Sequence, residues 1–214
     1  MSIVPDTLVR SVRGGIAPIA RRLNALGVSA NAVTVVGFLV TVTGAALVAG
    51  GQPGPALLVL LLGTLSDTLD GQIARAAGGG TRFGAFLDST LDRLSDAALA
   101  IAAVQLGAAM FQGGSSFTLS VPVVLYWSGL LLLVASFLVS YIRARAESLG
   151  EGASVGLAPR EARIAVYIFG VAAWAATGNL QLFAAAVGVA ALLATVTVIQ
   201  RIAHMAKALD EKKG

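Results

Sequence analysis

The sequence predicts an all-α membrane protein of six transmembrane helices preceded by an N-terminal interfacial amphipathic segment, and three observations carry that reading. Charged residues make up 12% of the chain against 57% hydrophobic, with a mean hydropathy of +0.84. Soluble domains carry about 25% charged residues, so little charge remains to face water. Six apolar runs, near 32–50, 55–75, 84–110, 119–142, 163–177 and 180–201, approach the roughly 20 residues that a span needs. Basic residues collect at alternate connections between those runs.

The elements follow in order. Residues 1–28 mix Val4, Leu8, Val12, Ile16, Ile19 and Leu23 with Arg10, Arg13, Arg21 and Arg22. Gly14-Gly15 and Pro18 would interrupt a long helix there, which suits a segment lying on an anionic leaflet. A secretory signal would show a compact apolar run and a small-residue cleavage site instead. Ser29-Ala30-Asn31 is placed to cap the first span, since Ser and Asn accept from free helix-start amides. Gly50-Gly51-Gln52-Pro53-Gly54 ends that span, and Gly78-Gly79-Gly80-Thr81 turns the second into the third. Gln112-Gly113-Gly114-Ser115-Ser116 and Thr177-Gly178-Asn179 close the third and fifth.

None of the breaks after the first, third and fifth spans holds a charge, whereas the other connections hold Arg75, Arg82, Arg143, Arg145, Arg160 and Arg163. The termini add Lys207, Lys212 and Lys213 to the early arginines. An even span count puts all this charge on one side, the cytoplasmic one, with both termini inside the cell membrane. The chain reads as one domain: segment 1–28, a bundle over 29–205 and a cytoplasmic tail over 206–214. A pI near 10 could suggest nucleic acid, but the basic residues sit at the ends of apolar runs rather than on one continuous face.

The chain has no cysteine and one histidine, His204, which is expected to be exposed after the last span. Thiolate and multi-histidine metal centres are thereby excluded. A metal site must rest on carboxylates, which favour hard cations such as Mg²⁺ or Mn²⁺. Of eleven acidic residues, five lie between Asp67 and Asp96, and none lies in another predicted span. An aspartate inside a membrane helix costs about 2.5–3.5 kcal/mol on insertion scales, so the concentration marks a site rather than helix ends satisfied by water. Asp67 and Asp70 are three apart and Asp88 and Asp92 four apart, so each pair shares a helix face. A hairpin through the glycines would bring the four carboxylates together, with two cations matching their formal charge. Asp96, one turn past Asp92, is read as a supporting group or a partner of Arg93, outside the metal set. For Asn31 and Thr34, capping and contact with a nucleotide both stand; Tyr126, Trp127, Tyr167 and Trp174 are read mainly as packing.

The spacing D-x-x-D-G-x-x-A-R-x8-G-x-x-x-D-x-x-x-D, from Asp67 to Asp92, resembles the signature of CDP-alcohol phosphotransferases at all eight fixed positions. The resemblance implies that Asp67, Asp70, Asp88 and Asp92 bind two Mg²⁺ or Mn²⁺ ions and that Asp92 is also the general base. It further implies that Gly71 and Ala74 leave room for the cytidine nucleotide and that Arg75 lies near the diphosphate. Gly84 is expected to permit close backbone approach. The implied reaction displaces CMP from a CDP-linked lipid by direct attack of an alcohol. Metal ions stabilise charge on the leaving phosphate, and a carboxylate takes the hydroxyl proton. The family resemblance also implies a homodimer.

Within the family, Gly78–Gly84, the segment Ser140–Glu147 and the pair Arg160/Arg163 are similar to actinobacterial phosphatidylinositol phosphate synthases. That similarity implies CDP-diacylglycerol as donor and inositol phosphate as acceptor, its phosphate held by Arg143, Arg163 and Arg201, with Arg160 beside them. Glycerol phosphate is the alternative acceptor, since it also needs a basic pocket. The arginines could instead be topology determinants meeting membrane lipid headgroups. A divalent-cation transporter would need access from both faces, and the charges here lie on one side only.

Overall fold

The computed structural model describes residues 18–20, 22–76, 78–111, 120–152 and 155–211, and among them there is no strand. Of the expected interfacial segment, residues 18–20 and 22–25 are helical and Gly27, at φ +80°, turns the chain. Residues 1–17 and 21 lie outside the described residues, as does the break at 112–116. Six long helices follow: α1 (Ala30–Ala49), α2 (Pro53–Ala76), α3 (Arg82–Ala109), α4 (Val121–Ser148), α5 (Arg160–Thr177) and α6 (Leu180–Glu211).

The helix ends follow local chemistry. The Ser29 hydroxyl accepts from the Ala32 amide at 3.2 Å, as expected of a cap. Thr81 accepts from the Gly84 amide at 2.9 Å and opens α3 in the same way. Gly78 and Gly79, at φ +92° and +121°, make the turn before it in a region that side chains avoid. α4 and α6 run past the expected ends of their apolar runs at 142 and 201, reaching Ser148 and Glu211. Hydropathy falls at the first arginine, but Arg, Ala and Glu are strong helix formers, and Arg143 pairs with Glu147 one turn on at 2.9 Å. Residues 206–211, assigned to a tail from sequence, are the last turns of α6.

The principal helix contacts close a ring in the order α1, α2, α5, α6, α4, α3 and back to α1. Small residues set its seams. A Cβ on Gly107 would stand 2.8 Å from both the Pro122 carbonyl oxygen and the Tyr126 amide nitrogen, so α3 and α4 touch backbone to backbone there. The core inside is apolar, with Val48, Leu60, Ala103, Leu125, Val171 and Val187 buried. Tyr167 is buried among them, edge-on to Phe183 at 5.1 Å, and its hydroxyl reaches across the ring to donate to the Leu99 carbonyl at 2.9 Å. Leu58, Leu62, Val134, Phe137, Phe169 and Leu192 point outward.

That apolar exterior belongs to a membrane protein. α1, α2, α4 and α6 are each long and apolar enough to cross a bilayer. α3 is diluted by Asp88, Asp92, Arg93 and Asp96, and α5 has 18 residues that include Arg160, Glu161 and Arg163.

The seam at Gly107 makes a direct prediction. Gly107→Val drives a side chain into backbone atoms that cannot yield, and overpacking of this kind costs about 1–3 kcal/mol. The melting temperature of the detergent-solubilised protein is expected to fall, whereas Gly54→Ala, where a Cβ meets nothing within 4 Å, leaves it unchanged.

Candidate active site

Charged side chains gather at one end of the ring, where the start of α1, the end of α2 and the starts of α3 and α5 meet. Thr34 on α1 reaches Asp70 on α2, and Arg160 and Arg163 on α5 reach Asp67 on α2 and Asp96 on α3. The acidic helices α2 and α3 do not make a principal contact with each other; both are seated on α1. A Cβ on Gly37 of α1 would stand 2.8 Å from the Ser66 Cβ of α2, and one on Gly84 of α3 would stand 2.9 Å from Asn31 Oδ1 of α1. At Gly84, where close backbone approach was expected, the neighbour is the Asn31 side chain rather than backbone.

Two cavities open between the helices. The first, about 470 Å³, is lined by Thr34, Asp70, Gly71, Ala74, Gly84 and Asp88, among others. The second, about 870 Å³, is lined at its polar end by Asp67, Arg75, Asp88, Asp92 and Arg160. It continues along α2 and α5 past Leu57, Leu61, Ile168 and Phe169. Gly71 and Asp88 line both cavities. The Arg75 guanidinium lies over Gly71, 3.6 Å from where a Cβ would be, so a charged head stands at the junction.

The carboxylates are held differently. Buried Asp70 accepts from the Thr34 hydroxyl at 2.8 Å, within the first cavity. Asp67 and Asp92 share one donor on the side of the second cavity: Arg160 Nη1 lies 3.2 Å from Asp67 Oδ2 and 2.9 Å from Asp92 Oδ1. Arg160 Nε donates to Asp96 Oδ1 at 3.1 Å, and Arg163 Nη2 meets Asp96 Oδ2 at 3.3 Å. Arg93 stands 3.4 Å from the other oxygen of Asp92. Asp88 has no ion pair or hydrogen bond among the described residues, yet acts electrostatically on Asp67, Asp70 and Asp92.

Asp67, Asp70, Asp88 and Asp92 all line the paired cavities. Among the described residues, no three acidic side chains lie close enough to hold one metal ion. Although three apart on one helix, Asp70 lines the first cavity and Asp67 the second, and Arg160 lies within ion-pair distance of both Asp67 and Asp92. The donor set, hard oxygens at the junction of two cavities with one carboxylate unpaired, suits a hard divalent cation.

The four candidate acceptor arginines do not line one cavity. Arg160 belongs to the carboxylates. Arg163 is buried on Asp96 and on the Ala158 carbonyl at 3.0 Å. Arg201 is buried and donates to the Val139 and Val155 carbonyls. Arg143 is exposed beside Glu147. Arg143 and Arg163, two of the other three, are close enough to act electrostatically on Arg201. Asp96 is the residue whose place the sequence left open: it anchors Arg160 and Arg163, while Arg93 pairs with Asp92. Its signal was present, because 88, 92 and 96 continue one stripe at intervals of four. His204 is exposed, as expected, with Nε2 3.2 Å from the Gly152 carbonyl oxygen.

Comparison with known proteins gives a consistent picture. The family model for CDP-alcohol phosphatidyltransferase matches residues 27–203. The archaetidylinositol phosphate synthase of Pyrococcus horikoshii is 34% identical over 197 residues, covering 90% of this chain and 91% of its own. A crystal structure of Mycobacterium tuberculosis phosphatidylinositol phosphate synthase in complex with manganese and citrate superposes with a TM-score of 0.77 at 32% identity, over 87% of each chain. The same enzyme with CDP-DAG bound gives 0.76 at 32% identity, over 87% of this chain and 91% of that one.

The two acidic environments have opposite consequences for stability. Asp96→Asn leaves two arginines short of a buried carboxylate, and breaking a buried pair typically costs about 3–5 kcal/mol. Asp88→Asn removes a repelling charge with no partner to lose. With EDTA present, thermal unfolding in detergent is expected to shift down for Asp96→Asn and to hold or shift up for Asp88→Asn.

Proposed function

The chain belongs to the CDP-alcohol phosphatidyltransferase family, and from that premise we propose that it transfers the phosphatidyl group of CDP-diacylglycerol to inositol phosphate, giving phosphatidylinositol phosphate and CMP. The observation that carries this reading is the junction of two cavities at Gly71 and Asp88. A donor and an acceptor must meet at one phosphorus, and here two spaces meet beside carboxylates and a guanidinium. Inositol phosphate is favoured over glycerol phosphate because the archaeal relative and the mycobacterial enzyme are named for products that share an inositol phosphate head while their lipid parts differ.

In this reading the nucleotide occupies the first cavity, where Gly71 and Ala74 present no bulk, and Arg75 faces the diphosphate. The acyl chains follow the apolar side of the second cavity along α2 and α5. Asp67, Asp70, Asp88 and Asp92 would hold two Mg²⁺ or Mn²⁺ ions. Such ions, when bound, neutralise charge on the diphosphate and on the leaving phosphate. Asp92 takes the proton of the attacking acceptor hydroxyl. The new oxygen–phosphorus bond forms at the lipid-bearing phosphorus as the bond to CMP breaks, and CMP departs with the electron pair. Direct attack suits a site with no cysteine in the chain and His204 outside both cavities.

The acceptor phosphate is assigned to Arg143, Arg163 and Arg201 with Arg160 alongside. A guanidinium has more donors than the contacts of Arg163 or Arg201 use, and Arg201 faces more positive than negative neighbours. The membrane arrangement we propose has six spans in one domain over 1–214, the ring's α3 and α5 completing the four apolar helices. Segment 1–28 lies on the inner leaflet of the cell membrane, both termini and the site are cytoplasmic, and the protein acts as a homodimer. The inward side is argued from the basic residues at the site's end of the ring.

EDTA should abolish CMP release from CDP-diacylglycerol, and Mg²⁺ or Mn²⁺ should restore it; full turnover after verified metal removal would refute the cation assignment. Asp92→Asn should depress turnover by at least the 10²–10⁴-fold, roughly, of a general base, with a smaller change in donor KM. Turnover near wild type excludes that role.

The acceptor is tested with a radiolabelled panel of inositol phosphate, glycerol phosphate, inositol and serine. Arg163→Ala and Arg201→Ala should raise KM for inositol phosphate roughly ten- to a hundred-fold, as loss of a charged hydrogen-bonding partner does, with CDP-diacylglycerol KM nearly unchanged. An enzyme that uses glycerol phosphate and ignores inositol phosphate retains the reaction class but overturns the acceptor.

A further inference from the structure

Arg160 occupies an unusual position for a residue expected to meet an acceptor. Its Nη1 lies between Asp67 Oδ2 on α2 and Asp92 Oδ1 on α3, at 3.2 and 2.9 Å, and so joins two helices that make no principal contact with each other. A single cationic centre placed between two carboxylates does what a bridging metal ion does. Without it, Asp67, Asp88 and Asp92 would act on one another with less compensation, because Arg93 reaches only Asp92 and Asp88 is unpaired among the described residues. We propose that Arg160 is the resting counter-ion of the acidic cluster, and that it yields Asp67 and Asp92 when a divalent cation binds.

The proposal rests on the cation assignment made above and adds a competitor built into the chain. Hard divalent ions bind carboxylate oxygens at about 2.0–2.6 Å, closer than Arg160 Nη1 stands to Asp67 Oδ2 or Asp92 Oδ1, so an ion drawn to those oxygens competes with the guanidinium for their charge. Positive charge left nearby also repels the ion. Buried Asp96 keeps hold of the Nε edge at 3.1 Å. The Nη end therefore has only to shift into the second cavity, which the side chain already lines. A guanidinium released there is a positive group free to meet the acceptor phosphate, beside which Arg160 is placed above, so the cation that prepares the donor also serves the acceptor. Binding of the two is linked through one side chain.

The test is a Mn²⁺ titration followed by electron paramagnetic resonance, on EDTA-stripped full-length protein in detergent without either substrate. Arg160→Gln should bind Mn²⁺ at least about ten-fold more tightly than wild type. Its melting temperature should depend more steeply on Mn²⁺, since wild type carries its own compensation when stripped. If Arg160→Gln fails to purify, Arg160→Lys carries the test: one ammonium cannot span three carboxylates as the planar fork does, and affinity should still rise, by a smaller factor. Equal or weaker Mn²⁺ affinity in the variant overturns the proposal and leaves the transfer reaction standing. If neither wild type nor variant binds Mn²⁺, the cation assignment and this proposal fail together, while the acceptor assay still reports on the reaction independently.

Discussion

The charged end of the molecule depends on keeping several carboxylates close together in surroundings of low dielectric, where each would otherwise raise the cost of its neighbours. Arg160 and Arg163 meet that constraint from α5, reaching across the ring to α3, and this dictates local structure. Pro159 caps α5, so Arg160 opens the first turn and Arg163 follows one turn later on the same side. Asp96 receives both, one on each oxygen. The buried anchor fixes both arginines, Arg160 in turn holds Asp67 and Asp92, and Asp88, without an ion pair among the described residues, stands at the point where the cavities join.

Much of this was legible in the sequence where the signal is local. Helix positions followed from apolar runs, the cap at Ser29 and the turn at Gly78–Thr81 from residue type, and the four aspartates of the metal set from a spacing contained in 26 positions. Non-local pairing was not legible. Asp96 and its arginines are 64 and 67 residues apart, and nothing in a one-dimensional pattern matches a carboxylate on α3 with a guanidinium on α5 rather than with adjacent Arg93. The division of Asp67 from Asp70 between two cavities depends on where α1 and α5 flank α2, which is tertiary information. The acceptor arginines were legible as a charge pattern but not as contacts, because backbone carbonyls of α4 and the α4–α5 connection compete for Arg201.

The same chemistry explains why hydropathy singles out four helices while six close the ring. The two that fall short are the ones bearing Asp88, Asp92 and Asp96 and Arg160 and Arg163. Their charge is largely spent on each other, so these helices stand among apolar neighbours with a polarity that composition counts in full and the fold partly cancels. Average hydropathy therefore understates how apolar such a helix is to its surroundings when its partner carries the opposite sign.

α1 contributes no ionisable side chain from Ala30 to Ala49, and yet both acidic helices are seated on it, α2 through Gly37 and Ser66 and α3 through Asn31 and Gly84. It acts as a gauge block. Both banks of carboxylates are borne on one neutral helix, with a glycine at each point of support, Gly37 under α2 and Gly84 on α3. The dimension on which the chemistry depends is thus held by a helix that brings no charge to it, only the Thr34 hydroxyl on Asp70. A methyl group added at Gly84 would press on Asn31 and Thr81 and re-space the carboxylates without touching any of them.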